Sequence, residues 1–237
     1  MKKIRKWLLG GLLALLLIII IGVIVLKQQA YTPSTAATTA AKTSIMVSST
    51  TKFQGNDANP QIIFYPGALV DPKSYSIWAH QVAQAGYSVY IVHFPLDLAV
   101  LRVNAANKVR TKQNYVIGGH SLGGTMASRY AHQHQKGLKG AFFLASYPEA
   151  KGSLRHTKVP VLSLTATRDG VLNQAHYQQA KRFLPQETKY VQISGGNHAG
   201  FGSYGHQKGD HDATITVKKQ QRLVAHRLIT WLNNRVR

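Results

Sequence analysis

An apolar run that no charge interrupts extends from Trp7 to Leu26, behind a short tail holding Lys2, Lys3, Arg5 and Lys6. About 20 residues is the length at which an α-helix crosses a bilayer. A run apolar on every face does not suit a helix lying on a soluble core, and that reading leaves the cations without a role. A cleaved signal peptide calls for a shorter apolar stretch ending in small residues, which Lys27-Gln28-Gln29-Ala30 matches poorly. The pattern therefore predicts an uncleaved transmembrane anchor over 7–26. Cations collect on the cytoplasmic side, so residues 1–6 are expected inside the cell and everything beyond Lys27 outside it.

Polar and small residues without apolar periodicity come next and predict a solvated linker over 27–44. From Ile45 on, short β-rich runs alternate with helix-length segments. Strands are predicted at 45–51, 61–65, 87–93, 114–118, 141–145, 161–165 and 190–193, and helices at 74–85, 98–111, 122–135, 173–183 and 215–234. Such alternation describes an α/β domain over 45–237, a mostly parallel sheet with helices on both faces. Catalytic groups gather at the carboxyl ends of the strands in such sheets. The last helix carries Leu223, Val224, Leu228, Ile229 and Leu232 at helical spacing and reads as an amphipathic cover for the sheet.

Composition narrows the chemistry. With 237 residues there is room for one such domain and an appendage. Cysteine is absent, which excludes disulfides, a thiol nucleophile and thiolate metal ligands. The net charge is +21, and the five cations of residues 1–27 leave +16 on the rest. An exported basic surface suits anionic lipid headgroups or an anionic cell-wall polymer better than nucleic acid; a merely solvated basic surface is the plainer alternative.

The strand predicted at 114–118 runs into Gly119-His120-Ser121-Leu122-Gly123 and then a helix. Gly-x-Ser-x-Gly between strand and helix is the setting of a nucleophile elbow, where the glycines allow a sharp bend and close approach of the helix. The helix aims its first amides at the site, so the Leu122 N–H can donate to an oxyanion. A serine hydroxyl needs a base, itself oriented by a carboxylate. Asp169 follows the strand at 161–165 and His198 follows the strand at 190–193, which gives the order Ser, Asp, His. With only eight acidic residues in the chain, Asp169 has few rivals. The competing readings are an Asp capping a turn and a His on a surface loop.

These motifs resemble the α/β-hydrolase superfamily, and most closely its small lidless bacterial members, the carboxylesterases and dienelactone hydrolases. The resemblance covers about 59–234 and rests on the elbow, the Asp169-Gly170 turn, the Gly195-Gly196-Asn197-His198 loop and the Pro66-Gly67 turn. It implies a catalytic triad of Ser121, Asp169 and His198, with a second oxyanion donor in the Pro66-Gly67-Ala68-Leu69 turn. That turn departs from the usual His-Gly and leaves the donor between Ala68 and Leu69. Pro66 has no N–H and Gly67 allows close approach, so Ala68 is preferred.

Only about 15 residues separate the strands at 141–145 and 161–165, too few for a large lid. The Phe94-Pro95-Leu96-Asp97-Leu98 segment reads as a turn with Asp97 capping a helix, or as pocket lining. His206, Asp210, His211 and Asp212 form a polar loop cluster with weak metal-binding character. Nothing calls for a cofactor or a metal. The expected function is cleavage of a small-molecule or lipid-like carboxylic ester through an acyl-enzyme. The alternatives are an acyltransferase or peptidase using the same triad, and a non-catalytic basic module that binds wall or membrane.

Overall fold

The protein is described by a computed structural model over residues 2–110 and 114–236. Its two compact units divide between Ala30 and Tyr31. The first holds one helix, α1 (Lys2–Gln28), of which Trp7–Gln28 is long and apolar enough to cross a membrane by length and composition.

In the second unit a short helix, α2 (Thr35–Ala41), precedes a sheet of eight strands: β1 (Ile45–Met46), β2 (Thr50–Phe53), β3 (Gln61–Tyr65), β4 (Val89–Val92), β5 (Tyr115–His120), β6 (Leu138–Leu144), β7 (Val161–Ala166) and β8 (Lys189–Ile193). The order across the sheet is β1-β2-β4-β3-β5-β6-β7-β8, with β2 antiparallel to both its neighbours, β1 and β4, and every other pair parallel. The helices are α3 (Ser76–Gln84), α4 (Leu122–Gln133), α5 (Gln174–Ala180) and α6 (Val217–Arg235).

Two separate apolar cores show why the central strands are apolar throughout. On β3, Ile62 and Phe64 face the core that holds Trp78 and Val82 of α3 and Val224, Leu228 and Leu232 of α6. Their neighbours Ile63 and Tyr65 face the other core, with Met126 and Tyr130 of α4. Alternate side chains on a strand point to opposite faces, so a strand covered on both sides has no polar face left.

The structure differs from the sequence reading in three places. Residues 45–51 are a tight hairpin rather than one strand: Ser48 takes φ +54° and the Val47 amide donates to Thr50 O at 2.9 Å. Residues 98–111 were expected to be helical, but Ala99–Lys108 is a broken run of 3-10 turns with non-helical Arg102 and Asn104. The cause is the buried Tyr65 hydroxyl, which donates to Val103 O at 2.7 Å and accepts the Ala106 amide at 3.0 Å, taking groups an α-helix would pair internally. The end of that expected helix, at Thr111, lies outside the described residues.

The third difference is the linker. From Tyr31 onward the segment is folded: Ser34 Oγ caps α2 by accepting the Ala37 amide at 3.2 Å, Ala37 is fully buried, and the Ser34 amide donates to Ser203 O at 2.7 Å. A helix of alanine and threonine packs closely through small side chains and shows no apolar stripe, so periodicity does not reveal it.

Candidate active site

The elbow is built from clashes that glycine avoids. A Cβ on Gly123 would lie 2.1 Å from Pro66 O and 2.2 Å from Tyr65 O; one on Gly119 would lie 2.5 Å from Gly123 C. Between them Ser121 is held at φ +51°, ψ −127°, a conformation that costs a non-glycine residue about 1–3 kcal/mol. Its neighbours hold it there. The Ser121 amide donates to Leu144 O at 3.1 Å, and Ser121 O accepts from Ser146 Oγ at 2.6 Å and from the Gly124 amide at 3.0 Å.

Asp169 follows β7 and His198 follows β8, and the structure brings them into contact. His198 Nδ1 donates to Asp169 Oδ2 at 2.9 Å and lies 3.1 Å from Oδ1. Their side chains are shut off from solvent, at 1% and 0% exposure. Asp169 Oδ1 also accepts the amides of Val171 at 2.9 Å and Leu172 at 2.8 Å, which fixes the carboxylate. With Nδ1–H committed to Asp169, Nε2 is the acceptor nitrogen of the ring. It is buried and has no hydrogen-bond partner among the described residues.

Ser121, Leu122 and His198 share one cleft of about 270 Å³ with Thr125, Tyr147 and Leu172. Among the described residues no Lys, Arg, Asp or Glu lines it. Between β6 and β7 the one helical element is the 3-10 turn Ala150–Gly152, so no helix of lid size covers the cleft from that connection. A larger groove of about 470 Å³, with Lys189, Arg227 and Arg235 on its walls, shares no residue with this cleft and contains no serine.

Two backbone amides are candidates for an oxyanion site. Leu122 is the first residue of α4, so its N–H has no partner within the helix. In the turn after β3, the Gly67 amide donates to the Tyr75 hydroxyl at 2.9 Å and the Leu69 amide to Asp97 O at 3.0 Å. The Ala68 amide makes no hydrogen bond among the described residues. Asp97 acts here through its carbonyl and caps no helix, and the 94–98 segment does not line the cleft.

Several supporting residues escaped the sequence reading. The Tyr75 hydroxyl, besides accepting the Gly67 amide, bonds His120 Nδ1 at 2.9 Å, and burial raises this phenol far above its ordinary pKa. His120 is fully enclosed, its ring 4.5 Å from that of His198; burial first and the neighbouring His198 second hold its pKa well below the ordinary value. From α6, Gln220 grips the histidine loop, accepting the Asn197 amide at 3.1 Å and donating to Asn197 O at 2.8 Å. A Cβ at Gly196 or Gly200 would strike that Gln220 side chain, at 2.7 and 2.1 Å, which explains two of the glycines around His198. The 206–212 cluster does not converge into a metal-binding group among the described residues, although Asp210 turns inward and is buried.

The model of the alpha/beta hydrolase family matches residues 61–222. No curated protein matches the sequence. Among solved structures, the chain is similar to a dienelactone hydrolase from Anabaena variabilis (TM-score 0.59, 16% identity, covering 82% of this chain and 97% of that one). It is also similar to the esterase domain of a Rhodothermus marinus protein (TM-score 0.60, 13% identity, 79% and 93% covered). A ferulic acid esterase from Streptomyces cinnamoneus is a third (TM-score 0.60, 17% identity, 75% and 67% covered). At these identities the likeness speaks for the fold.

Proposed function

This chain belongs to the alpha/beta hydrolase family and has its fold, and from that premise we propose that it is a membrane-anchored serine esterase whose nucleophile is Ser121. Ser121 attacks the ester carbonyl while His198 Nε2 takes its proton; the same nitrogen then protonates the departing alcohol. Asp169 holds the imidazole and stabilises its charged form. The amides of Leu122 and Ala68 receive the oxyanion, and water then releases the acid by the reverse sequence.

The observation that carries this reading is the His198 ring, with Nδ1 bonded to the Asp169 carboxylate and Nε2 without a partner among the described residues, beside the cleft it shares with Ser121. The cleft's size and its lack of ionised walls favour an uncharged carboxylic ester with a short acyl group. The length and composition of the apolar helix Trp7–Gln28 support its role as the anchor, and the cations before it favour an orientation with the esterase outside the cell. The basic charge of the outer unit suits anionic lipid headgroups or an anionic wall polymer.

The test is a fluorophosphonate probe and a series of p-nitrophenyl esters of graded acyl length, applied to the full chain in detergent beside Ser121→Ala. Labelling and turnover are expected in the parent and not in the variant, with the fastest turnover at short acyl length. Equal labelling or equal turnover in both proteins would overturn the assignment.

A further inference from the structure

The turn bearing Asp169 and the loop bearing His198 leave different strands, and a single carboxylate ties them together. Asp210 Oδ1 accepts the amide of Gly170, next to Asp169, at 3.0 Å, and the amide of His198 itself at 3.3 Å. It also accepts the His211 amide at 3.0 Å, while Oδ2 accepts that of Ala199 at 2.8 Å. Asp210 is 8% exposed and forms no ion pair with Lys or Arg among the described residues, so backbone dipoles stand where a cation would. Its own loop is held in turn. The Asp210 amide donates to Gln207 O at 3.0 Å, and the Tyr204 hydroxyl donates to Gln207 Oε1 at 2.8 Å.

We propose that Asp210 is a positioning residue for the esterase reaction, setting the distance between Asp169 and His198 by holding Gly170 on one side and the His198-Ala199 backbone on the other. The inference rests on the triad proposed above. Throughout the reaction His198 must keep Nδ1 on Asp169 while Nε2 trades a proton between nucleophile and leaving group, and a small displacement of either loop lengthens one of those contacts. Three amides, from Gly170, His198 and His211, converge on Oδ1 and a fourth, from Ala199, on Oδ2, a set that a charged carboxylate accepts better than the single carbonyl oxygen of an amide. An asparagine keeps one oxygen and turns an NH₂ group toward an N–H that now lacks an acceptor.

The experiment compares the full-length parent, Asp210→Asn and Asp210→Glu, with active sites counted by fluorophosphonate titration so that misfolded protein drops out of the rate. For Asp210→Asn, kcat per titrated site is expected to fall about 10- to 100-fold with KM within about twofold. Asp210→Glu, which keeps the charge on a longer arm, is expected to lie between that variant and the parent. In an Asp169→Asn background the Asp210→Asn change is expected to cost no more than about twofold, because the contact it protects is already gone. A merely structural role would lower the titratable fraction and melting temperature and leave kcat per site alone, and that result overturns the inference. If Asp210→Asn does not fold, Asp210→Glu decides: a parental kcat per site in that variant rejects the proposal. Failure of the parent itself to label at Ser121 would instead reject the esterase reading on which this one stands.

Discussion

Tyr31 pairs with Val70 across an isolated parallel bridge: the Tyr31 amide donates to Leu69 O at 2.7 Å and the Asp71 amide to Tyr31 O at 3.0 Å. The residues just beyond the apolar helix are thereby joined to the turn that holds Ala68. They also reach the histidine loop, through Ser34 on Ser203 and the Tyr31 ring 5.3 Å from that of Tyr204. The folded unit thus begins at Tyr31, and cutting at Ile45 removes part of the site's support. At about 1 kcal/mol net per hydrogen bond, losing the Tyr31 and Ser34 backbone bonds costs about 3 kcal/mol, or roughly 6–12 °C in melting temperature for a unit of this size. Thermal melts of fragments 31–237 and 45–237 check this, and equal melting temperatures would show that the segment contributes nothing.

The two oxygens of Asp169 have different duties, and this makes Asp169→Asn informative. Oδ1 is held by the Val171 and Leu172 amides, so an asparagine is expected to keep its oxygen there and present its NH₂ to His198. The imidazole then turns its lone pair to that NH₂ and carries its proton on Nε2, where it cannot accept one from Ser121. A fall in kcat of about 10⁴-fold is expected, with little change in melting temperature. A parental rate in a folded variant would remove Asp169 from the proposed mechanism.

Why was the elbow legible in the sequence when its supports were not? Strand β5 and the start of α4 announce themselves locally, by the apolar run Tyr115–Ile117 and by glycines at fixed spacing around Ser121. Asp169 and His198 were readable because each lies in the short loop that follows a strand, β7 and β8 respectively. Asp210, by contrast, sits in a polar loop between histidines and looks solvated. Only the folded chain shows that it meets Gly170 and Ala199, 40 and 11 residues away. The broken turns at Ala99–Lys108 were hidden for a similar reason, since the hydroxyl that interrupts them comes from Tyr65 on β3. Patterns within about ten residues were visible, and hydrogen bonds that cross the fold were not.

Tyr75 tests the second oxyanion donor. Its hydroxyl accepts the Gly67 amide and bonds His120, so Tyr75→Phe leaves two buried polar groups without a partner. A stability loss of about 1–3 kcal/mol is expected, read from denaturant unfolding. If Ala68 donates to the oxyanion, loosening this turn is also expected to lower kcat more than it raises KM. Unchanged kcat with reduced stability would take the turn out of the chemistry and leave it a packing element.

Acid is expected to destabilise the protein through His120. Burial, then the neighbouring His198, lowers the folded-state pKa of His120 well below its ordinary value of 6.5. Between the folded and unfolded pKa values the unfolded chain binds a proton that the native state refuses, so stability rises with pH across that interval. The full stability contribution is present above about pH 6.5 and drains away as the pH falls toward the folded-state value, at about 1.4 kcal/mol per pH unit for one such group. His93, whose pKa is also lowered chiefly by burial, adds to the slope in the same direction. Urea midpoints measured from pH 7.5 down to about 5 check this. His120→Gln keeps a polar side chain beside Tyr75 but cannot titrate, so its stability is expected to depend less on pH than that of the parent. If the two proteins lose stability in parallel, His120 is not the group that responds to acid.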